Sequence, residues 1–253
     1  RALEMLARQV DEDADHSLRL RCAELLAKSK HPRAAKLLES LLAHRDDKVR
    51  MAAFGGLRDA SEKDDLRPLT LAIDAQEANV GVAAVEALVP LAKKDEQARQ
   101  LMIRALDIDP EETRRAALLA LEKVFPKDSP HATVIAAKSD RPDSRRLAII
   151  RGFQRKLLDD SRVAGTVRRA GEDPSADVRR TAFLAALLSR PALAKAIRQR
   201  DKQLHRQLHE LENYEVQPTG REKKSEPPKV KPAKFSLAAE DYQPLLSAMS
   251  SRV

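Results

Sequence analysis

Apolar positions along this chain recur with a helical period, and the segments that carry them recur in turn. Ala34, Leu37, Leu38, Leu41 and Leu42 stand at i, i+3, i+4, i+7 and i+8, one face of a helix. Just after that face comes "DDKVRMAA", which begins at 46, and a near copy, "EDPSADVRRTA", begins at 172. With the arginine of this phrase as a ruler, the marks fall at Arg19, Arg50, Arg114, Arg145 and Arg179, with Gly81 in the place of the third arginine. The intervals are 31, 31, 33, 31 and 34 residues. Three residues after each mark stands Cys22, Ala53, Ala84, Ala117, Ala148 or Ala182. Leu26, Leu57, Leu88 and Leu121 close the first four phrases, and the last two depart there with Gly152-Phe153 and Ala186-Leu187.

A second amphipathic stretch follows each phrase. Examples are "HPRAAKLLESLLAH" in the first unit, "DEQARQLMIRALDI" in the third and "DDSRVAGTVRRAG" in the fifth. The unit is therefore helix, turn, helix, turn. One such pair cannot bury its apolar face alone, whereas stacked pairs can. The spacing predicts six pairs, with first helices starting near 17, 47, 78, 111, 143 and 176. The weakest is the second helix of the fourth pair, "SPHATVIAAKS", which is short and β-branched.

Composition supports the all-α reading. Aromatics are 3%, Trp is absent, Gly numbers only 7, and charged residues reach 34%. Such a chain is rich in helix formers and must build its core from aliphatic side chains. No apolar run approaches the length of a membrane span. The opening "RALEMLARQV" reads as helix rather than a signal peptide. The single Cys22 excludes an intramolecular disulfide and fits a reducing compartment, so a cytoplasmic protein is expected.

These phrases resemble the HEAT-repeat family, in particular its short bacterial units. The likeness rests on Asp47, Val49, Arg50, Ala53 and Leu57, on Asp177, Val178, Arg179 and Ala182, and on "HPRAAKLL" at 31–38. It spans roughly residues 13–212. It implies a right-handed α-α superhelix, a HEAT-like solenoid of about six helix pairs, acting as a non-enzymatic scaffold or adaptor for protein partners. The matching residues are structural. An acid ahead of a helix satisfies its free N–H groups and complements its dipole, and the alanines admit close neighbours.

Four segments are expected. Residues 1–12, with Leu3, Leu6 and Val10 at helical spacing, read as the second helix of a preceding repeat, which would make the chain part of a longer protein. Residues 13–214 form the array. Residues 215–234, rich in Pro and Lys, read as a linker. Residues 235–253 carry Tyr242, Leu245, Leu246 and Met249 at i, i+3, i+4 and i+7. That pattern fits either a short docking helix or the start of another repeat segment.

Charge is uneven. Residues 139–253 hold 24 Lys and Arg against 15 Asp and Glu, while residues 1–138 hold 23 against 24. The resemblance implies that second helices line the concave side. A basic surface is accordingly expected from Arg162, Arg168, Arg169, Lys195, Arg198, Lys202 and Arg206, suited to an acidic protein or, as the alternative, a nucleic-acid backbone. No aromatic lies among them to stack on bases.

Candidate chemistry is thin. The sequence has no phosphate loop, no G-x-S-x-G elbow and no H-E-x-x-H helix. His205 and His209 are four apart with Glu212 nearby, a spacing that a metal site could use, but the polar residues beside them mark a solvated helix face. HEAT-like enzymes offer three comparisons. Iron-dependent deoxyhypusine hydroxylases carry several His-Glu pairs, and this chain has one, His209-Glu210. The alkylpurine DNA glycosylases use Trp, which is absent, and no residue here is assigned to a phycobilin lyase's tetrapyrrole. No cofactor or metal is expected, and no membrane partner.

Overall fold

The computed structural model describes residues 2–12, 15–29, 31–189, 206–207, 209–211 and 213–214. Twelve helices occupy them, with helical residues again at 206–207 and 209–211, and no strand occurs among the described residues. Residues 215–253, with the expected linker and Tyr242, Leu245, Leu246 and Met249, lie outside them. The chain divides into two compact units, Arg1–Lys127 and Asp128–Val253.

The first unit holds α1 (Ala2–Glu12), α2 (His16–Lys28), α3 (Pro32–Leu41), α4 (Asp47–Asp59), α5 (Arg67–Asp74), α6 (Ala78–Ala92), α7 (Glu96–Arg104) and α8 (Glu111–Val124). The first helices α2, α4, α6 and α8 pack each on the next, and the second helices sit beside them. α1 packs on α2 and α3. Leu26, Leu38, Ile73, Leu88, Met102, Leu118 and Leu121 are buried at the centre. Of these, Leu26, Leu38, Leu88 and Leu121 are positions that the repeat spacing picks out.

The second unit holds α9 (His131–Ala136), α10 (Pro142–Gln154), α11 (Ser161–Ala170) and α12 (Ala176–Leu188). Its core joins Ile149, Ile150, Val163, Val167, Val178, Ala182 and Leu211, with Phe153 and Tyr214 packed against it. α9 has only six residues. Thr133, Val134 and Ile135 lose rotamer freedom in a helix, and nothing in the sequence compensates.

Local chemistry sets the helix starts. The carboxylates of Asp15, Asp46, Asp95 and Asp160 accept the backbone N–H two residues on, and the His31 ring does so for α3. Each cap of this kind stabilises a helix by about 1 kcal/mol. At α12 the cap shifts back: Ser175 makes no side-chain cap bond, and Asp173 accepts the Ser175 N–H instead, at 2.8 Å.

Candidate partner-binding surfaces

The repeat arginines are spent on the fold. Arg50 Nη1 donates to the His44 carbonyl, Arg145 Nη1 to those of Ser139 and Asp140, and Arg179 Nη1 to those of Asp173 and Pro174. Arg114 reaches Ile108 and Asp109 in the same way. Each guanidinium thus clasps the turn five to six residues behind it, at the entry to its own helix. A second hand reaches forward to the next unit. Arg19 lies 3.5 Å from Asp46, Arg50 donates to the Asn79 side chain at 2.9 Å, and Arg145 holds Asp173 through Nε and Nη2 at 2.7 and 2.8 Å. The Arg145 bonds keep the Asp173 carboxyl below its ordinary value against the opposing effect of burial. At Asp46 burial pushes the carboxyl up, but the Lys48 amide and the His16 ring outweigh it and hold the group low. At the third mark a Cβ on Gly81 would lie 2.6 Å from the Thr113 hydroxyl, so glycine there admits α8 close against α6.

The expected basic surface comes together only in part. Lys195, Arg198 and Lys202 lie outside the described residues. Arg162 is half-exposed, but its Nε and Nη2 bond the Asp160 carboxylate at 3.1 and 2.9 Å. That pairing draws the Asp160 carboxyl down and offsets the charge a ligand would meet. Arg168 is half-buried, with its Nε out of water and without a bond. Arg169 is exposed and makes one long bond, 3.3 Å, to the Thr166 hydroxyl. Arg206 is exposed. In the first unit, charges on the second helices pair with each other instead, Arg67 with Glu39 and Arg104 with Asp74.

Sequence reasoning passed over the first helices, where the structure exposes apolar surface. Leu18 and Leu25 of α2 are 44% and 48% exposed, and Met51 of α4 is 41% exposed. Leu18 and Leu25 are seven residues apart, so they lie along one side of α2. Covering what they expose is worth about 1–3 kcal/mol for the pair. The opposite flank of α2 meets α4: a Cβ on Gly56 would come within 2.5 Å of the Ala27 backbone. Beside that contact a shallow groove of about 360 Å³ opens between Glu24, Ala27 and Lys28 on α2 and Ala52, Gly55 and Asp59 on α4. A Cβ on Gly55 would meet nothing within 4 Å. Among the described residues no group of three or more His, Cys, Asp or Glu is placed to hold a metal ion, and no helix is long and apolar enough to cross a membrane.

Stacked helix pairs strapped at their turns by a repeated arginine define a helical-repeat protein with the HEAT-like solenoid fold. Residues 2–89 match the family model described as HEAT repeats. No curated protein matches the chain. Among solved structures it is similar to the crystal structure of an engineered protein from the Northeast Structural Genomics Consortium, at 17% identity and a TM-score of 0.29, over 72% of this chain and 94% of that one.

Proposed function

We propose that this chain is a protein-interaction scaffold, part of a larger polypeptide or assembly in the cytoplasm, and that it engages partners without catalysing a reaction. HEAT repeats generally mediate protein interactions. The observation that supports the reading for this chain is the stack of helix pairs whose repeat arginines are spent on internal bonds. The residues that define the repeat are turned to intramolecular bonds, so the exposed side chains between them are what a partner would meet. The basic residues Arg168, Arg169 and Arg206, with Lys195, Arg198 and Lys202, form a second surface in this proposal, suited to an acidic protein segment.

Affinity capture with the full natural chain, with and without nuclease, tests the scaffold. Protein partners retained after nuclease are the expected result. Loss of all bound protein on nuclease treatment would transfer the function to nucleic acid. Reversal of Arg168, Arg169, Arg198 and Lys202 to Glu should release only partners whose binding weakens with salt.

A further inference from the structure

The seam between α2 and α4 is closed at one level and open at the next. At Gly56 a Cβ would lie 2.5 Å from the Ala27 backbone, so the two helices touch there. Beside that contact the groove of about 360 Å³ has a floor of Ala27, Ala52 and Gly55 and a rim of Glu24, Lys28 and Asp59. All of its lining comes from α2, α4 and the residues that cap their C-terminal ends, so two consecutive pairs shape it by themselves. The groove exists because side-chain volume is missing. Eight residues after the mark on the earlier helix and five after the mark on the later one, this seam has Ala27 and Gly55. At the same places α4–α6 has Arg58 and Glu86, α6–α8 has Val89 and Leu119, and α10–α12 has Phe153 and Leu184.

We infer that the α2–α4 groove is a docking site for an arginine side chain of a partner protein, its aliphatic stem on the Ala27–Ala52–Gly55 floor and its guanidinium at the carboxylates of the rim. The inference rests on the scaffold reading and names the partner's chemistry. Charge selects the occupant. Glu24 and Asp59 face the single ammonium of Lys28, and neither carboxylate has an ion pair among the described residues. The C-terminal ends of α2 and α4, at Lys28 and Asp59, both lie at the groove and add their partial negative charge. Asp59 itself stands where the helix dipole disfavours an acid. The same place on the other first helices is Lys28, Pro90, Lys123, Gln154 or Leu188, none of them acidic. Its neighbour Arg58 is turned to the Phe54 ring, 6.0 Å from the centroid. A carboxylate set against the local rule and left unpaired costs stability that the fold does not return, and an incoming cation would return it. Arginine suits the groove better than lysine, because its guanidinium is weakly hydrated and its stem covers apolar surface. The adjoining seam holds an arginine of the array, Arg58, at the place that Ala27 leaves empty.

The test titrates the full natural chain with the capped peptide Ser-Ala-Arg-Ala-Ser and with its citrulline counterpart, which keeps the shape of arginine and lacks the charge. Amide NMR shifts should saturate at Ala52, Gly55 and Asp59 with the arginine peptide, and the citrulline peptide should bind about fivefold more weakly. Asp59→Asn with Glu24→Gln should weaken the arginine peptide about fivefold while the melting temperature holds or rises, because an acid is removed from a helix C-terminus. Gly55→Leu should fill the groove and abolish binding without loss of stability, since a Cβ there meets nothing within 4 Å. Equal binding of the two peptides, no saturable shifts, or indifference to the Asp59 and Glu24 substitutions would overturn the inference. So would hydrogen exchange showing that another segment of the natural polypeptide already covers the groove. Protein partners retained in the nuclease-treated capture alongside a failed peptide titration would leave the scaffold standing and remove only this site. Peptide binding with no protein captured would uphold the groove and remove the scaffold.

Discussion

The seam between α6 and α8 and the seam between α10 and α12 solve the same packing problem with opposite means. At the first, the ruler position is Gly81, and the helices close on each other until a Cβ would touch the Thr113 hydroxyl. At the second it is Arg145, and a two-bond ion pair to Asp173 spans the seam. Close apolar approach needs no charge and tolerates no extra atom. The ion pair needs both partners, because Asp173 is only 9% exposed and Arg145 only 16%. A repeat can thus change the chemistry of a contact while keeping its geometry.

The largest effect is expected at the charged seam. Arg145→Ala leaves a buried carboxylate without its partner and should cost about 3 kcal/mol in urea unfolding of the full chain. Adding Asp173→Ala should recover part of that loss. A loss below about 1 kcal/mol would show that the pair contributes little and that the comparison is misdrawn.

Acid titration sharpens the same point. The Asp173 carboxyl is held below its ordinary value when folded, so its contribution is fully present above the unfolded pKa of about 3.9 and is lost as the pH falls through the lower folded value. Parent stability should therefore drop on acidification from pH 5, and Arg145→Ala should drop less. The slope will not vanish, because Asp46 and Asp160 are also held low.

At the apolar seam Gly81→Ala should cost about 1 kcal/mol, since overpacking against Thr113 outweighs the gain in helix propensity. Thr113→Ala in that background should restore stability, because the Thr113 hydroxyl is buried without a bond and its removal forfeits none. The smallest effect is Gly55→Ala, where open space admits a methyl and helix propensity should add about 0.5–1 kcal/mol. Thermal melts that moved both glycine variants in the same direction would contradict the difference drawn between close approach and open groove.

Much of the fold was legible in the repeat. First helices expected near 17, 47, 78, 111, 143 and 176 begin at His16, Asp47, Ala78, Glu111, Pro142 and Ala176. The frailty of "SPHATVIAAKS" reappears as the six-residue α9. Period and capping are local properties, and a sequence carries them openly. The candidate surfaces were harder to read because exposure is a property of neighbours. Leu18 fills the same place in its phrase as Val49, and only the stacking order shows that one is covered and the other is not. Gly55 and Gly56 are likewise identical on paper, yet one faces open space and the other the backbone of Ala27. Arg162 read as a free cation until the cap residue two positions earlier proved to hold it.

The arginine that grips the turn behind its own helix has a consequence for how such a chain lengthens or shortens. Arg50, Arg114, Arg145 and Arg179 each secure carbonyls that lie within six residues of themselves, so the means of starting a unit travels with that unit. A duplication or deletion that runs from just ahead of one such turn to just ahead of the next carries a complete fastening with it and leaves none cut in two. Recombination at those turns is therefore the least disruptive way to change the number of units. A graft made within the five or six residues between the turn and the arginine would separate the arginine from the carbonyls it holds.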